Sequence, residues 1–144
     1  MKFFNSFQTL LIILYLNKKE NKVANTKLKY VCVVNIDMKI EIDGKLIQII
    51  EGSNDNVNDY IKFINKLSQD PNNYTLSRYS KIDEQGIIEW SKSWGKSTTM
   101  ILAYNNSIVV GFFQATRGKY FGLESQFHVA EIAYAVDKEF RGKD

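Results

Sequence analysis

The chain has 144 residues, 44% of them hydrophobic and 24% charged, which is enough for one domain with a core and too little for two. A net charge of +3 with scattered Lys and Arg excludes the basic stripe of a nucleic-acid binder, so no nucleic-acid partner is expected. One cysteine (Cys32) and one histidine (His128) exclude an intrachain disulfide, a multi-cysteine metal site and a His-pair site, and they fit a reducing, cytoplasmic setting.

Residues 1–37 differ from the rest. Lys2 precedes the apolar stretch Leu10-Leu11-Ile12-Ile13-Leu14-Tyr15-Leu16, which Lys18, Lys19, Glu20 and Lys22 end. A membrane span needs about 20 apolar residues, and Asn5, Ser6, Gln8 and Thr9 interrupt this run. It resembles the apolar region of a signal peptide, but no small-x-small cleavage site follows. The segment is read as an extension outside the domain, and a membrane partner is not expected. The domain is read from Met38 to Asp144.

From Met38 the elements follow in order. Lys39-Ile40-Glu41-Ile42 alternates, Asp43-Gly44 predicts a tight turn, and Leu46 to Ile50 returns as the second strand of a hairpin. Ser53-Asn54-Asp55 supplies N-cap residues. Val57, Tyr60, Ile61, Ile64 and Leu67 then recur at helical spacing, and the helix ends before Asp70-Pro71. A second helix is expected over 84–94, with Ile87, Trp90 and Trp94 on one face and Gly95 as its stop. Thr99 to Tyr104 and Ile108 to Thr116 read as strands around an Asn105-Asn106 turn, and Gly111 marks a bulge or a close approach. Arg117 to Gln126 is a loop, and Phe127 to Val136 is the last strand. The fold class is α/β in the mixed, α+β sense: a four- or five-stranded, mostly antiparallel sheet with two helices.

Four pieces carry a resemblance to the GNAT N-acetyltransferase family. They are Leu46-Ile47-Gln48-Ile49-Ile50 with its capped helix, Met100 to Phe112 as the central hairpin, Ala130 to Val136 as the cofactor-binding strand, and Phe140-Arg141-Gly142-Lys143 as the start of the Arg/Gln-x-x-Gly-x-Gly/Ala pyrophosphate loop. The resemblance implies an acyl-CoA N-acyltransferase fold. It also implies acetyl transfer from acetyl-CoA to a primary amine, which is a protein lysine, an N-terminus or a small amine, with no metal. Asp144 stands at the first motif glycine and the chain stops there, so the domain is expected to be incomplete at its C-terminus. The alternative is a truncated, catalytically inactive fragment or degenerate paralogue acting as an interaction protein.

The resemblance also assigns roles. Glu131 is the candidate base, with Glu124 as a weaker one. Tyr134, Ala135 and Val136 would offer backbone groups to pantetheine and the acyl carbonyl. Arg141, Gly142 and Lys143 would meet the pyrophosphate, whose natural seat is a set of backbone N–H groups at a helix N-terminus. Tyr104 and Tyr120 are candidates for protonating the leaving thiolate, although packing is the simpler role for Tyr104. Trp90 and Trp94 are candidates for an acceptor groove, with core packing as the simpler role, and His128 is read as facing solvent. The last strand leaves an apolar edge, so self-association is expected.

Overall fold

The computed structural model describes residues 36–72, 82–117 and 130–142. Five strands lie in sequence order in one antiparallel sheet: β1 (Asp37–Ile42), β2 (Lys45–Glu51), β3 (Thr98–Asn105), β4 (Ile108–Arg117) and β5 (Ala130–Val136). The Asp43-Gly44 turn forms as its sequence demands, with φ of 49° and 72°, the left-handed pair that a two-residue hairpin loop needs. The sheet begins just ahead of Met38: Ile36 is buried, and its carbonyl accepts from the Glu51 N–H.

A short 3-10 turn (Asn54–Asn56) leads into α1 (Val57–Ser68). Asn56 Oδ1 accepts from the Ser53 N–H at 3.0 Å, which closes the start of the helix. Val57, Tyr60, Ile61, Phe63, Ile64 and Leu67 are buried, so the 3.6-residue period has placed one apolar face on the sheet. The second helix, α2 (Glu84–Ser91), is capped by Asp83, whose Oδ1 accepts from the Gly86 N–H at 2.9 Å. It stops three residues before Trp94. The backbone turns through residues 92–97, and Gly95 takes φ 78° as it does so. The expected helix to 94 is therefore shortened, because Trp94 must bridge to Thr98 at the start of β3.

One sheet face packs against the helices. Leu102, Tyr104, Phe112 and Ala135 meet Tyr60, Phe63, Ile64, Leu67 and Trp94 there. Tyr60, Trp90, Trp94 and Phe112 form a tilted and edge-to-face aromatic cluster with ring centroids 5.2–6.0 Å apart. Both tryptophans thus serve packing, and Trp94 Nε1 is buried without a hydrogen-bond partner among the described residues. The opposite face gathers Ile47, Ile49, Ile101, Ala103, Phe113, Ala115, Val136 and Phe140, with no helix over it among the described residues.

The sequence signal at Gly111 resolves as a bulge. Ala103 pairs with Gly111 and Tyr104 with Val109, so Val110 is the extra residue. The Val110 carbonyl accepts from the Asp137 N–H at 2.8 Å, which carries the β4–β5 ladder one residue past the end of β5. β5 is an edge strand among the described residues and exposes Ile132 and Tyr134.

Candidate functional site

β5 carries most of the residues singled out above. Glu131 lies opposite Thr116, and Ala133 and Ala135 lie opposite Gln114 and Phe112, so all three face the helices. Tyr134 stands on the other face and is partly exposed. Glu131 Oε2 is buried. The row of side chains that includes Glu131 is polar: Thr98 and Thr116 are buried with hydroxyls 3.0 Å apart, and Ser93 Oγ donates to Thr98 Oγ1 at 2.9 Å. Nothing in the sequence pattern marks this hydroxyl row, because its members come from three separate segments.

The other end of β5 is a turn. Asp137 caps a 3-10 turn (Lys138–Phe140), with Oδ1 accepting from the Glu139 N–H at 3.0 Å. Its Oδ2 pairs with Lys66 of α1. Phe140 is buried, with Lys45 Nζ 4.9 Å from its ring centre. Arg141 donates from Nε to the Val136 carbonyl at 2.8 Å and from Nη2 to Asp70 Oδ2 at 2.9 Å. Gly142 takes φ 70° and is exposed, with open space where a side chain would begin. A cavity of about 190 Å³, lined in part by Phe63, Lys66, Asp70, Asp137 and Arg141, separates the end of α1 from this turn.

Glu131 and Val136 are five positions apart, so roughly 17 Å of extended strand separates the carboxylate from the turn. Tyr104 stands six positions from Thr98 along β3, roughly 20 Å from the row of Glu131. Its hydroxyl donates to Asp59 Oδ2 and accepts from Asn56 Nδ2, both at 3.3 Å, and burial pushes its pKa up to about 12. Tyr104 therefore ties β3 to the start of α1 and lies far from Glu131. Tyr120, Glu124, His128, Lys143 and Asp144 lie outside the described residues.

Solved structures share this fold. The acetyltransferase of the GNAT family from Streptococcus pneumoniae is similar at a TM-score of 0.56 and 13% identity, with 67% of this chain and 57% of that one covered. The GNAT domain of S. lividans PAT is similar at 0.54 and 10% identity, with 74% and 63% covered. The fold is that of the GNAT acetyltransferases. This chain spans about three-fifths of the length of these GNAT structures. No family model and no curated protein matches the sequence.

On this GNAT fold the turn after β5 keeps only part of its polar groups open to solvent. Lys138 and Gly142 are exposed there, while the N–H groups of Glu139, Phe140 and Arg141 donate within the turn. No cluster of His, Cys, Asp and Glu able to hold a metal occurs among the described residues, and no described helix is long and apolar enough to cross a membrane. Asp70 is held below the ordinary carboxylate range, first by the Asn72 N–H and then by the Arg141 guanidinium. A depressed folded-state pKa gives stability that is present above the unfolded value, about 3.9, and is lost as pH falls through the folded one. Thermal melts should therefore show a drop in midpoint on acidification below about pH 4, and Asp70→Asn should flatten that part of the curve.

Proposed function

We propose that this chain serves an N-acetyltransferase reaction, passing an acetyl group from acetyl-CoA to a primary amine: a protein lysine, a protein N-terminus or a small amine. The observation that carries the reading is the layout of β5. A carboxylate sits at one end and a cationic turn at the other, on a strand whose outer edge pairs with no described strand. An extended thioester lying along that edge would bring its phosphates to the turn, where Lys138 and Gly142 are exposed, and its acyl end towards Glu131.

Acetyl-CoA, when bound, supplies the activated thioester; the chain supplies position and proton transfer. Strand alternation helps to sort the backbone groups. The Asp137 N–H points at β4, so Ala135 also spends its main chain on the ladder, whereas Tyr134 and Val136 turn theirs to the outer edge. The Val136 carbonyl is already taken by Arg141, which leaves the Tyr134 main chain and the Val136 N–H facing that edge for a bound ligand. Glu131, beside the polar row of Thr98 and Thr116, accepts the proton that the amine must lose. A cytoplasmic setting, where acetyl-CoA and amine acceptors meet, belongs to this reading.

The test is titration with acetyl-CoA followed by an assay of free thiol release with lysine peptides, N-terminal peptides and polyamines. Amine-dependent thiol release is the expected result; neither binding nor release would overturn the reading. One observation favours the alternative of an inactive fragment or paralogue acting through protein contacts. The Arg141 guanidinium and three N–H groups of the turn are already engaged within the protein. That alternative expects no acetyl-CoA binding even at millimolar concentration.

A further inference from the structure

We propose that Asp70, at the end of α1, is a positioning residue for the turn after β5, acting through Arg141 and seconded by the Lys66–Asp137 pair; the ligand-binding part of this rests on the acetyl-CoA reading above. A basic side chain at the head of an anion-binding turn would ordinarily be taken as a direct ligand. Here the guanidinium is otherwise engaged. Nε reaches the Val136 carbonyl at 2.8 Å and Nη2 reaches Asp70 Oδ2 at 2.9 Å. These are two separate arms of a planar fork, a geometry that lysine cannot copy.

Asp70 is itself fixed. Its Oδ1 accepts from the Asn72 N–H at 2.9 Å across the Pro71 turn, and its side chain is only 10% exposed. Four residues earlier on α1, Lys66 pairs with Asp137, whose side chain is 4% exposed and whose second oxygen caps the turn. The Asp137 N–H is bound to the bulge carbonyl of Val110, and Phe140 is sunk in the core beneath Lys45. Residues 136–141 are thereby tied to α1, to β4 and to the β1–β2 hairpin. The two ion pairs bracket the cavity between α1 and the turn, so they set how far apart its walls stand. The end of α1 thus works as a clasp that holds the exposed donors of the turn, Lys138 and Gly142, in one place.

The two roles for Arg141 give opposite signs. If Arg141 binds the anion directly, Asp70 competes for it, and Asp70→Asn should tighten acetyl-CoA binding by removing a competing negative charge. If Asp70 positions, the same substitution should weaken binding roughly tenfold, about 1.4 kcal/mol. Asp70→Asn, Arg141→Lys and the double variant should then lose similar amounts, because both changes break the same contact. Calorimetry with acetyl-CoA on the full 144-residue chain reads this part. Amide hydrogen exchange reads the clasp without any ligand. In Asp70→Asn the Glu139 and Phe140 amides should exchange at least roughly tenfold faster, while the first turns of α1 stay unchanged. Unchanged exchange at those two amides, or binding as tight as in the native chain, overturns the proposal. If the native chain binds no acetyl-CoA, the functional reading fails by itself and the exchange experiment still decides the clasp.

Discussion

Phe113→Ala is expected to cost about 3–5 kcal/mol, the usual loss for a fully buried aromatic in a core. Phe113 is 0% exposed and sits in the middle of β4, with Ile101 opposite it on β3 and Tyr134 opposite it on β5. It belongs to the face that carries no helix among the described residues, where Ile47, Ile49, Ala115, Val136 and Phe140 share its cluster. Against a total stability of about 5–15 kcal/mol, the loss takes a large share. The thermal midpoint should fall by more than about 10 °C, at a few degrees per kcal/mol. Ile108→Ala is the matched control: the residue lies on the same strand but is 65% exposed, and its effect should stay within about 0.5 kcal/mol. A Phe113→Ala midpoint within a few degrees of the native value would show that the outer face of the sheet contributes little to folding.

The fold was legible where local chemistry decides. Asp43-Gly44 marks a hairpin because few other pairs accept positive φ at both positions, and the structure uses them so. The apolar spacing from Val57 to Leu67 fits a helix with one buried face, and the structure lays that face on the sheet. Gly111 flagged a bulge whose extra residue is its neighbour Val110. The second helix was read too long because Trp94 continues the apolar face of Ile87 and Trp90. Periodicity does not show that the backbone must turn early to bring Thr98 into β3. For the site, the sequence placed Glu131 on the last strand and Arg141 in the turn after it. It could not show what Arg141 touches. Asp70 and Arg141 are 71 positions apart, as are Lys66 and Asp137, and Asp70 had only a helix end to recommend it. Pairings at such separations follow from how the strands are ordered, and no local pattern encodes that. The same holds for the hydroxyls of Ser93, Thr98 and Thr116, which meet only because β3 and β4 pair in this register.

Glu131→Gln carries the largest expected effect on activity. A positioned general base typically contributes about 10²- to 10⁴-fold to rate, and the amide keeps the size of the side chain while removing its capacity to take a proton. Turnover should fall by that order in an acetyl-transfer assay. Acetyl-CoA affinity should change by less than about threefold, because roughly 17 Å of strand separates Glu131 from the turn that would hold the phosphates. A fall in kcat with binding intact is the signature of an interaction used in the chemical step and not in ground-state binding. Two comparisons keep the test specific. Tyr104→Phe removes a hydroxyl from the far end of the sheet, where it joins Asn56 and Asp59, and should leave turnover near native while lowering stability by about 1 kcal/mol. Thermal melts of Glu131→Gln should match the native chain within a few degrees, so that lost turnover is not lost fold. If Glu131→Gln retains turnover within a few-fold, the base lies elsewhere or a chain of water carries the proton. If turnover and acetyl-CoA affinity fall together, Glu131 acts by shaping the strand that holds the ligand.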